Sequence, residues 1–327
     1  MKVLVLTAYS YEPILRQTVG RLGVMDGCTF VINQPDYDYD AVVIWDEIAE
    51  AVRVKCADGR LIFASAEPPD YRTYRTTFLN QFDAIISPHA EHKNAKIFRE
   101  QLPLNWWAGI RVEGTPGNWK KEVSKDYDAL LSIKAPPKNK LISVIASNKE
   151  MLAGHRQRLQ LIKIMKDKYG SDLDIYGFGF DNITDKLDCI LPYKYHLTLE
   201  NSRINYYWSE KLSDAFLGWS LPIYSGCTNI EDYFPQDSLV QIDPDKPDQA
   251  IAILDQMIRE DAYTQRLKAI EEARRRVLNE LNMFSVLARI CKQLKGGPLR
   301  TTKLLPQSKF RDPLPVRIIR FVKNYYK

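Results

Sequence analysis

Short, fully apolar runs alternate along this chain with amphipathic stretches, and the rhythm starts twice. KVLVLTAY (2–9), DAVVIW (40–45), RLIFASA (60–66) and DAIISP (83–88) have the length and composition of strands buried on both faces. Helical spacing over 11–22, 71–82 and 92–102 places helices between some of them. SIKAPPKNK (132–140), with paired prolines among lysines, reads as a linker. The rhythm then resumes with LISVIAS, a helical pattern through LQLIKIMKDKYG, LDIYGFG, YHLTLE, the helix SEKLSDAFLGW, LPIYSG and SLVQID. From Pro247 to about Lys295 the apolar period stays near 3.6 residues, and GGP at 296–298 ends it. Strand-helix alternation of this kind predicts parallel sheets with right-handed crossovers. The expected fold is α/β, with two doubly wound, Rossmann-like domains at 1–135 and 136–296 and a tail at 297–327.

Length and charge agree with that division. The 327 residues suit two domains, and 45% hydrophobic with 27% charged residues is an ordinary globular composition. From residue 298 onward there are eight bases and one acid, which leaves 38 bases against 40 acids in the body. All of the +5 net charge therefore belongs to the tail. Five scattered cysteines without CxxC spacing argue against a disulfide framework or a zinc site and suit a reducing compartment. The apolar run of MKVLVLTAYSYEP stops at Tyr9, so it reads as a first strand and not as a signal peptide. No stretch approaches the roughly 20 apolar residues of a membrane span, and the body is expected to be soluble and cytoplasmic.

Ligands of parallel α/β sheets lie beyond the C-terminal ends of the strands, so the loops after strands should carry the chemistry. Three stand out: AEPPDY (66–71), SNKEMLAGHRQR (147–158) and ENSRINYYWSEK (200–211). In the third, Ser209 is a natural N-cap, and Leu212, Ala215, Phe216 and Trp219 fall on one helical face. Glu210 and Lys211 then occupy the first helical turn, where free N–H groups and the dipole favour anions. Lys211 beside Tyr207 and Asn201 would suit a diphosphate. Glu210 either complements the helix dipole or supports positive charge developing on a sugar carbon.

YKYHLTLENS (193–202), NYYWSEKL (205–212) and LPIYSG (221–226) resemble, in order and spacing, the signature of the fucosyltransferases of glycosyltransferase family 10. That signature runs approximately Tyr-Lys-Phe-x-Leu-x-Phe-Glu-Asn-Ser, then Asp-Tyr-x-Thr-Glu-Lys-Leu, then a Pro-[Ile/Val]-x-x-Gly strand end. Leu199 replaces the Phe before Glu-Asn-Ser, and Ser209 replaces Thr while keeping the capping hydroxyl. The likeness is firm over about 141–245 and thin elsewhere.

The resemblance implies the two-Rossmann GT-B architecture, with the donor in the C-terminal domain and the acceptor in the N-terminal one. It implies inverting transfer of L-fucose from GDP-L-fucose to a glycan hydroxyl, α-1,3 on an N-acetylglucosamine or glucose unit of a surface polysaccharide or lipopolysaccharide. It places Ser147, Asn148, Tyr176, Asn201, Ser202 and Tyr207 around the donor, with Lys211 and Arg156 on the diphosphate and Arg158 as the second choice. Glu210 would support the oxocarbenium-like charge. Glu67, in a strand end similar to the family's Glu-Ser-Pro, would be the general base, with Asp70 the residue most easily confused with it. A different nucleotide sugar, or a glycan- or nucleotide-binding module without catalysis, are the competing readings.

The resemblance also implies no cofactor and no obligatory metal, because in the family arginine and lysine take the diphosphate charge. The aspartates of DYDYD (36–40) and DPD (243–245) read as loop residues. YGFG (176–179) lacks the third glycine of a dinucleotide loop, and the four histidines show no ligand spacing. The expected partners are a nucleotide sugar and a glycan acceptor, with no nucleic acid. VRIIRFVKNYYK would form a helix with one apolar stripe and basic flanks, so 314–327 suits an anionic membrane surface or packs back on the body. A tethered enzyme would be peripheral at the inner membrane.

Overall fold

Apolar strands need cover on both faces, and two sets of them occur in the computed structural model. It describes residues 1–9, 13–68, 70–89, 92–93, 95–115, 118–148 and 153–311. Contacts divide the chain into unit 1 (Met1–Tyr11, Met25–Leu102, Leu287–Lys327) and unit 2 (Glu12–Val24, Pro103–Val286). These units interleave along the sequence, whereas the composition-based boundaries at 135 and 296 cut it linearly.

In unit 1, six strands pair in parallel: β1 (Lys2–Leu6), β2 (Cys28–Ile32), β3 (Ala41–Trp45), β4 (Leu61–Ala64), β5 (Ala84–Ile86) and β6 (Lys96–Phe98). Their order is β2-β1-β3-β4-β5-β6. Leu4, Leu6, Val42, Ile44, Leu61 and Phe63 form a core with Phe78 and Phe82, whose rings lie 5.3–5.5 Å from Phe63 and from each other. Residues 92–102, expected to be helical, instead contribute the edge strand β6, because Ile97 and Phe98 pair with Ile85 and Ile86. The stretch 71–82 is α-helical only at Thr76–Leu79. The described part of 11–22 forms two 3-10 turns, broken at Gly20 and Arg21, both with φ +59°.

Residues 299–311 do not behave as a tail. Leu299–Leu304 pairs antiparallel with Val52–Ala57, Arg300 Nη2 donates to both Asp83 oxygens at 2.8 and 2.9 Å, and the Phe310 ring packs 5.9 Å from Phe78. The basic segment 314–327 lies outside the described residues. No helix among the described residues is long and apolar enough to cross a membrane. All five cysteines are buried thiols.

In unit 2, β7 (Lys140–Ile145), β8 (Leu173–Tyr176), β9 (Tyr193–Leu199), β10 (Leu221–Ser225) and β11 (Val240–Gln241) are parallel throughout. Their order is β8-β7-β9-β10-β11. The chain leaves β7 toward one side and later returns to the other, so the topological switch point lies between the ends of β7 and β9. Helix α1 (Ala153–Tyr169) follows β7, and α2 (Glu210–Leu217) follows β9, burying Leu212, Ala215, Phe216 and Leu217. Sequence reading did not foresee the antiparallel hairpin Ile110–Thr115/Asn118–Val123.

Candidate active site

The switch point brings Ser147 and Arg158 to the 200–211 loop. Glu200, just past β9, donates its N–H to Ser225 O at 2.8 Å. Gly226 leaves room for it: a Cβ there would stand 2.5 Å from Glu200 Cγ and 2.4 Å from the Tyr224 hydroxyl. The buried Glu200 carboxylate accepts the Ser209 N–H at 2.8 Å and the Ser209 Oγ–H at 2.7 Å. Ser209 caps α2 as expected, its Oγ accepting from the Lys211 N–H at 3.3 Å.

Three charges then meet at the helix mouth. Lys211 Nζ lies 3.3 Å from Glu210 Oε1 and 3.5 Å from Glu200 Oε2, with the Lys211 and Glu210 side chains only 23% and 22% exposed. Burial alone would lower the Lys211 pKa, but Glu210 and Glu200 outweigh it and raise the ammonium above its usual range. Burial likewise works against the Glu210 carboxylate, yet Lys211 and Lys186 hold it down at about 2. Burial pushes the Glu200 carboxyl up, with Lys211 pulling against it.

Arg158, not Arg156, is the arginine brought to this group. Residues two apart on a helix point some 200° apart, and α1 turns Arg158 inward (7% exposed) while Arg156 is exposed. Arg158 Nη1 donates to Asn201 Oδ1 at 2.9 Å, and Nη2 reaches Ser147 O at 3.5 Å. Burial lowers its pKa, countered by Glu200, and its Nε is buried without a partner among the described residues. An incompletely satisfied buried guanidinium at a helix mouth suits an anionic ligand.

Other expected residues divide. Asn148 packs on the 177–179 turn, its N–H donating to Phe178 O at 3.0 Å. A Cβ on Gly179 (φ +86°) would lie 2.4 Å from Asn148 Nδ2. Ser202 and Tyr207 are buried in the 200–209 loop. Tyr176 is not brought to the charged group: its hydroxyl meets that of Tyr193 at 2.6 Å, and Tyr193 donates to Asp174, which Lys140 also contacts at 2.9 Å.

Two members escaped the sequence. Lys186 Nζ lies 3.2 Å from Asp214 Oδ2 and 3.9 Å from Glu210 Oε1. Asp214, 1% exposed, uses Oδ1 to accept the Trp107 and Ala108 N–H groups at 3.0 and 2.9 Å. A buried acid one turn past Glu210, on an apolar helix face, was a readable signal for Asp214. Lys186 is remote in sequence and offered none.

In unit 1, Glu67 lies partly exposed beyond β4, with Asp70 exposed. A second polar cluster centres on Asp46, buried with φ +65°. Its carboxylate accepts from the Tyr9 hydroxyl at 2.7 Å, Arg72 Nη1 at 2.6 Å and the Tyr74 hydroxyl, while Arg72 Nη2 donates to Glu47 at 2.6 Å. Asp243 and Asp245 face Arg203 at 2.9 and 3.3 Å, and Asp38 pairs with Lys55 at 2.9 Å. His196 is a buried neutral imidazole beside Ser143 Oγ (2.8 Å), its pKa pushed down to about 3 by burial. Among the described residues no three His, Cys, Asp or Glu side chains cluster as metal ligands.

Two parallel α/β units, one with lysine and arginine gathered at a switch point, make the GT-B fold. It belongs to glycosyltransferase family 10: the model described as "Glycosyltransferase family 10 (fucosyltransferase) C-term" matches residues 135–303, more than half of the chain. The bovine 4-galactosyl-N-acetylglucosaminide 3-alpha-L-fucosyltransferase 9 is 36% identical over 77 residues, 22% of this chain and 21% of that one. An Arabidopsis thaliana alpha-(1,4)-fucosyltransferase is 39% identical over 57 residues, 17% and 14% of the two chains. The matched stretches thus span about a fifth or less of these relatives. A crystal structure of an alpha1,3-fucosyltransferase with GDP aligns over 85% of this chain and 90% of its own, at 17% identity and a TM-score of 0.51.

Proposed function

We propose that this protein is an inverting, metal-independent fucosyltransferase, moving L-fucose from GDP-L-fucose to a glycan hydroxyl. The observation that carries the reading is the Arg158–Glu200–Lys211–Glu210 array at the mouth of α2, within a fucosyltransferase family. Arg158 and Lys211 neutralise the diphosphate, and Asn201, Ser202, Tyr207, Ser147 and Asn148 shape the donor site around it. Arg158 takes the role first considered for Arg156, because only Arg158 is buried among these groups.

Electrostatic stabilisation of the leaving GDP is the largest contribution to the rate. The acceptor oxygen bonds the anomeric carbon as the carbon–phosphate-oxygen bond breaks, and Glu67 takes the acceptor's proton. Glu210, ionised at neutral pH, supports the positive charge that the sugar carries in the transition state of this displacement. The acceptor attacks in line, opposite the leaving GDP, in a single displacement without a covalent intermediate, so configuration inverts. An acceptor with an N-acetylglucosamine unit, modified at its 3-hydroxyl, is supported by the name of the bovine relative, whereas the name of the Arabidopsis relative supports a 1,4 linkage.

Calorimetry with GDP, UDP and GDP-fucose, followed by turnover on N-acetyllactosamine and NMR of the product, tests this. GDP and GDP-fucose should bind, UDP should bind at least about tenfold more weakly, and EDTA should leave the rate within about twofold. Preference for UDP, or binding without turnover on any glycan, overturns it.

A further inference from the structure

We propose that Lys186 is a positioning residue of the transfer site, fixing the Glu210 carboxylate against the sugar while Asp214 in turn fixes Lys186. This rests on the reading of Glu210 given above. The ammonium stands between two carboxylates, 3.2 Å from Asp214 and 3.9 Å from Glu210, and 6.0 Å from the centre of the Trp107 ring. Asp214 is committed on both oxygens, one to Lys186 and one to the Trp107 and Ala108 amides, so it acts as a rigid anchor.

The turn carrying Lys186 is anchored on the same loop. Asp185 caps the 3-10 turn Lys186–Cys189 through the Leu187 N–H at 2.9 Å, and it also accepts the Gly109 N–H at 2.9 Å and the Ser124 hydroxyl at 2.5 Å. Lys186 is therefore placed independently of Glu210.

A chain of alternating charge results: Arg158, Glu200, Lys211, Glu210, Lys186, Asp214. Three cations face three anions before any ligand arrives. Without Lys186, Glu200 and Glu210 would compete for the single Lys211 ammonium, and Glu210 would be drawn toward it and protonate more easily. The charged groups facing Glu210 are the cations Lys211 and Lys186 and the acids Glu200 and Asp214, with Arg158 beyond Lys211.

The test uses Lys186→Met and, because that leaves Asp214 buried without its cation, the paired variant Lys186→Met/Asp214→Asn, which keeps an acceptor for the Trp107 and Ala108 amides. Both should bind GDP within about threefold of wild type while kcat falls at least about tenfold, and Lys186→Arg should retain most activity. Carboxyl ¹³C NMR, assigned with Glu210→Gln, should show Glu210 ionised down to pH 4 in the wild type. In the charge-removed variants its midpoint should move toward the ordinary glutamate value of about 4.3. Unchanged kcat together with an unmoved midpoint overturns the proposal. So does a parallel fall in GDP affinity and rate, which would make Lys186 a phosphate ligand. If the wild type does not transfer fucose, the functional reading fails, and the titration still decides on Lys186.

Discussion

The two parallel sheets both carry polar groups at the C-terminal ends of their strands, but they assemble them differently. In unit 2, Glu200, Asn201, Ser209, Glu210 and Lys211 come from one twelve-residue segment, folded back so that Ser209 bonds Glu200 and Lys211 contacts both acids. In unit 1, the Asp46 cluster draws Tyr9, Asp46, Glu47, Arg72 and Tyr74 from three separate loops, and Glu67 stands in the third of them. In the function proposed above, with the donor in unit 2 and the acceptor in unit 1, the diphosphate is the same for every donor of one nucleotide, so a compact, self-consistent segment can serve it. Acceptors vary in shape, and residues scattered over several loops can change one at a time. The family model follows this contrast: it begins at residue 135 and covers the whole unit-2 sheet.

Lys211→Ala tests the compact side hardest. Turnover should fall by about 10²–10³-fold or more, with GDP binding weakened in parallel. Stability should drop by about 2–4 kcal/mol, since Glu200 is left buried without its cation. Adding Glu200→Gln should recover much of the stability and none of the activity. Wild-type GDP affinity in Lys211→Ala would remove the phosphate role.

Glu67→Gln probes the scattered side. Transfer should fall by about 10²–10⁴-fold with GDP-fucose affinity nearly intact, the mark of a lost general base. A wild-type rate in that variant would move the base to another carboxylate of unit 1, with Asp70 the first to examine.

Arg158→Ala and Arg156→Ala form the sharper, smaller comparison. Losing a charge-assisted contact worth about 1.5–3 kcal/mol should weaken GDP binding by about 10–150-fold for Arg158. The exposed Arg156 should give a change within about threefold. The reverse ranking would mean that α1 presents a different face to the ligand.

What was legible follows from the same contrast. The helix mouth could be read because a cap, a dipole and a buried apolar face fix Ser209, Glu210 and Lys211 within one local motif. The choice between Arg156 and Arg158 could not, since α1 has only modest apolar asymmetry and burial decides which residue turns inward. Lys186 was invisible because its partners lie 24 and 28 positions away. The edge strand Lys96–Phe98 was read as helix because three residues are too few to show a period, and pairing with β5 outweighs local spacing. Compositional charge misplaced the tail boundary: Arg300 counts as tail by charge, but its guanidinium is paired with Asp83 and Asp58.

That boundary decides how the membrane proposal must be tested. The residues proposed to meet an anionic surface are Arg317, Arg320, Lys323 and Lys327 beside the stripe Ile318, Ile319, Val322, Tyr325 and Tyr326. A cut after Gly297 would remove the strand Leu299–Leu304 and its pairing with Val52–Ala57, so lost stability there would say nothing about a tether. A cut after Arg311 leaves that strand in place. Each basic residue near an anionic leaflet contributes about 1 kcal/mol, so four of them should support binding that falls steeply with salt. The 1–311 protein should keep its melting temperature within about 2 °C and its rate on soluble acceptors, yet stop sedimenting with phosphatidylglycerol vesicles that bring down the full chain. The cut after Gly297 should lose several degrees. If the full chain never sediments with such vesicles, or if the cut after Arg311 costs as much stability as the cut after Gly297, the terminal segment packs on the body and the tether fails.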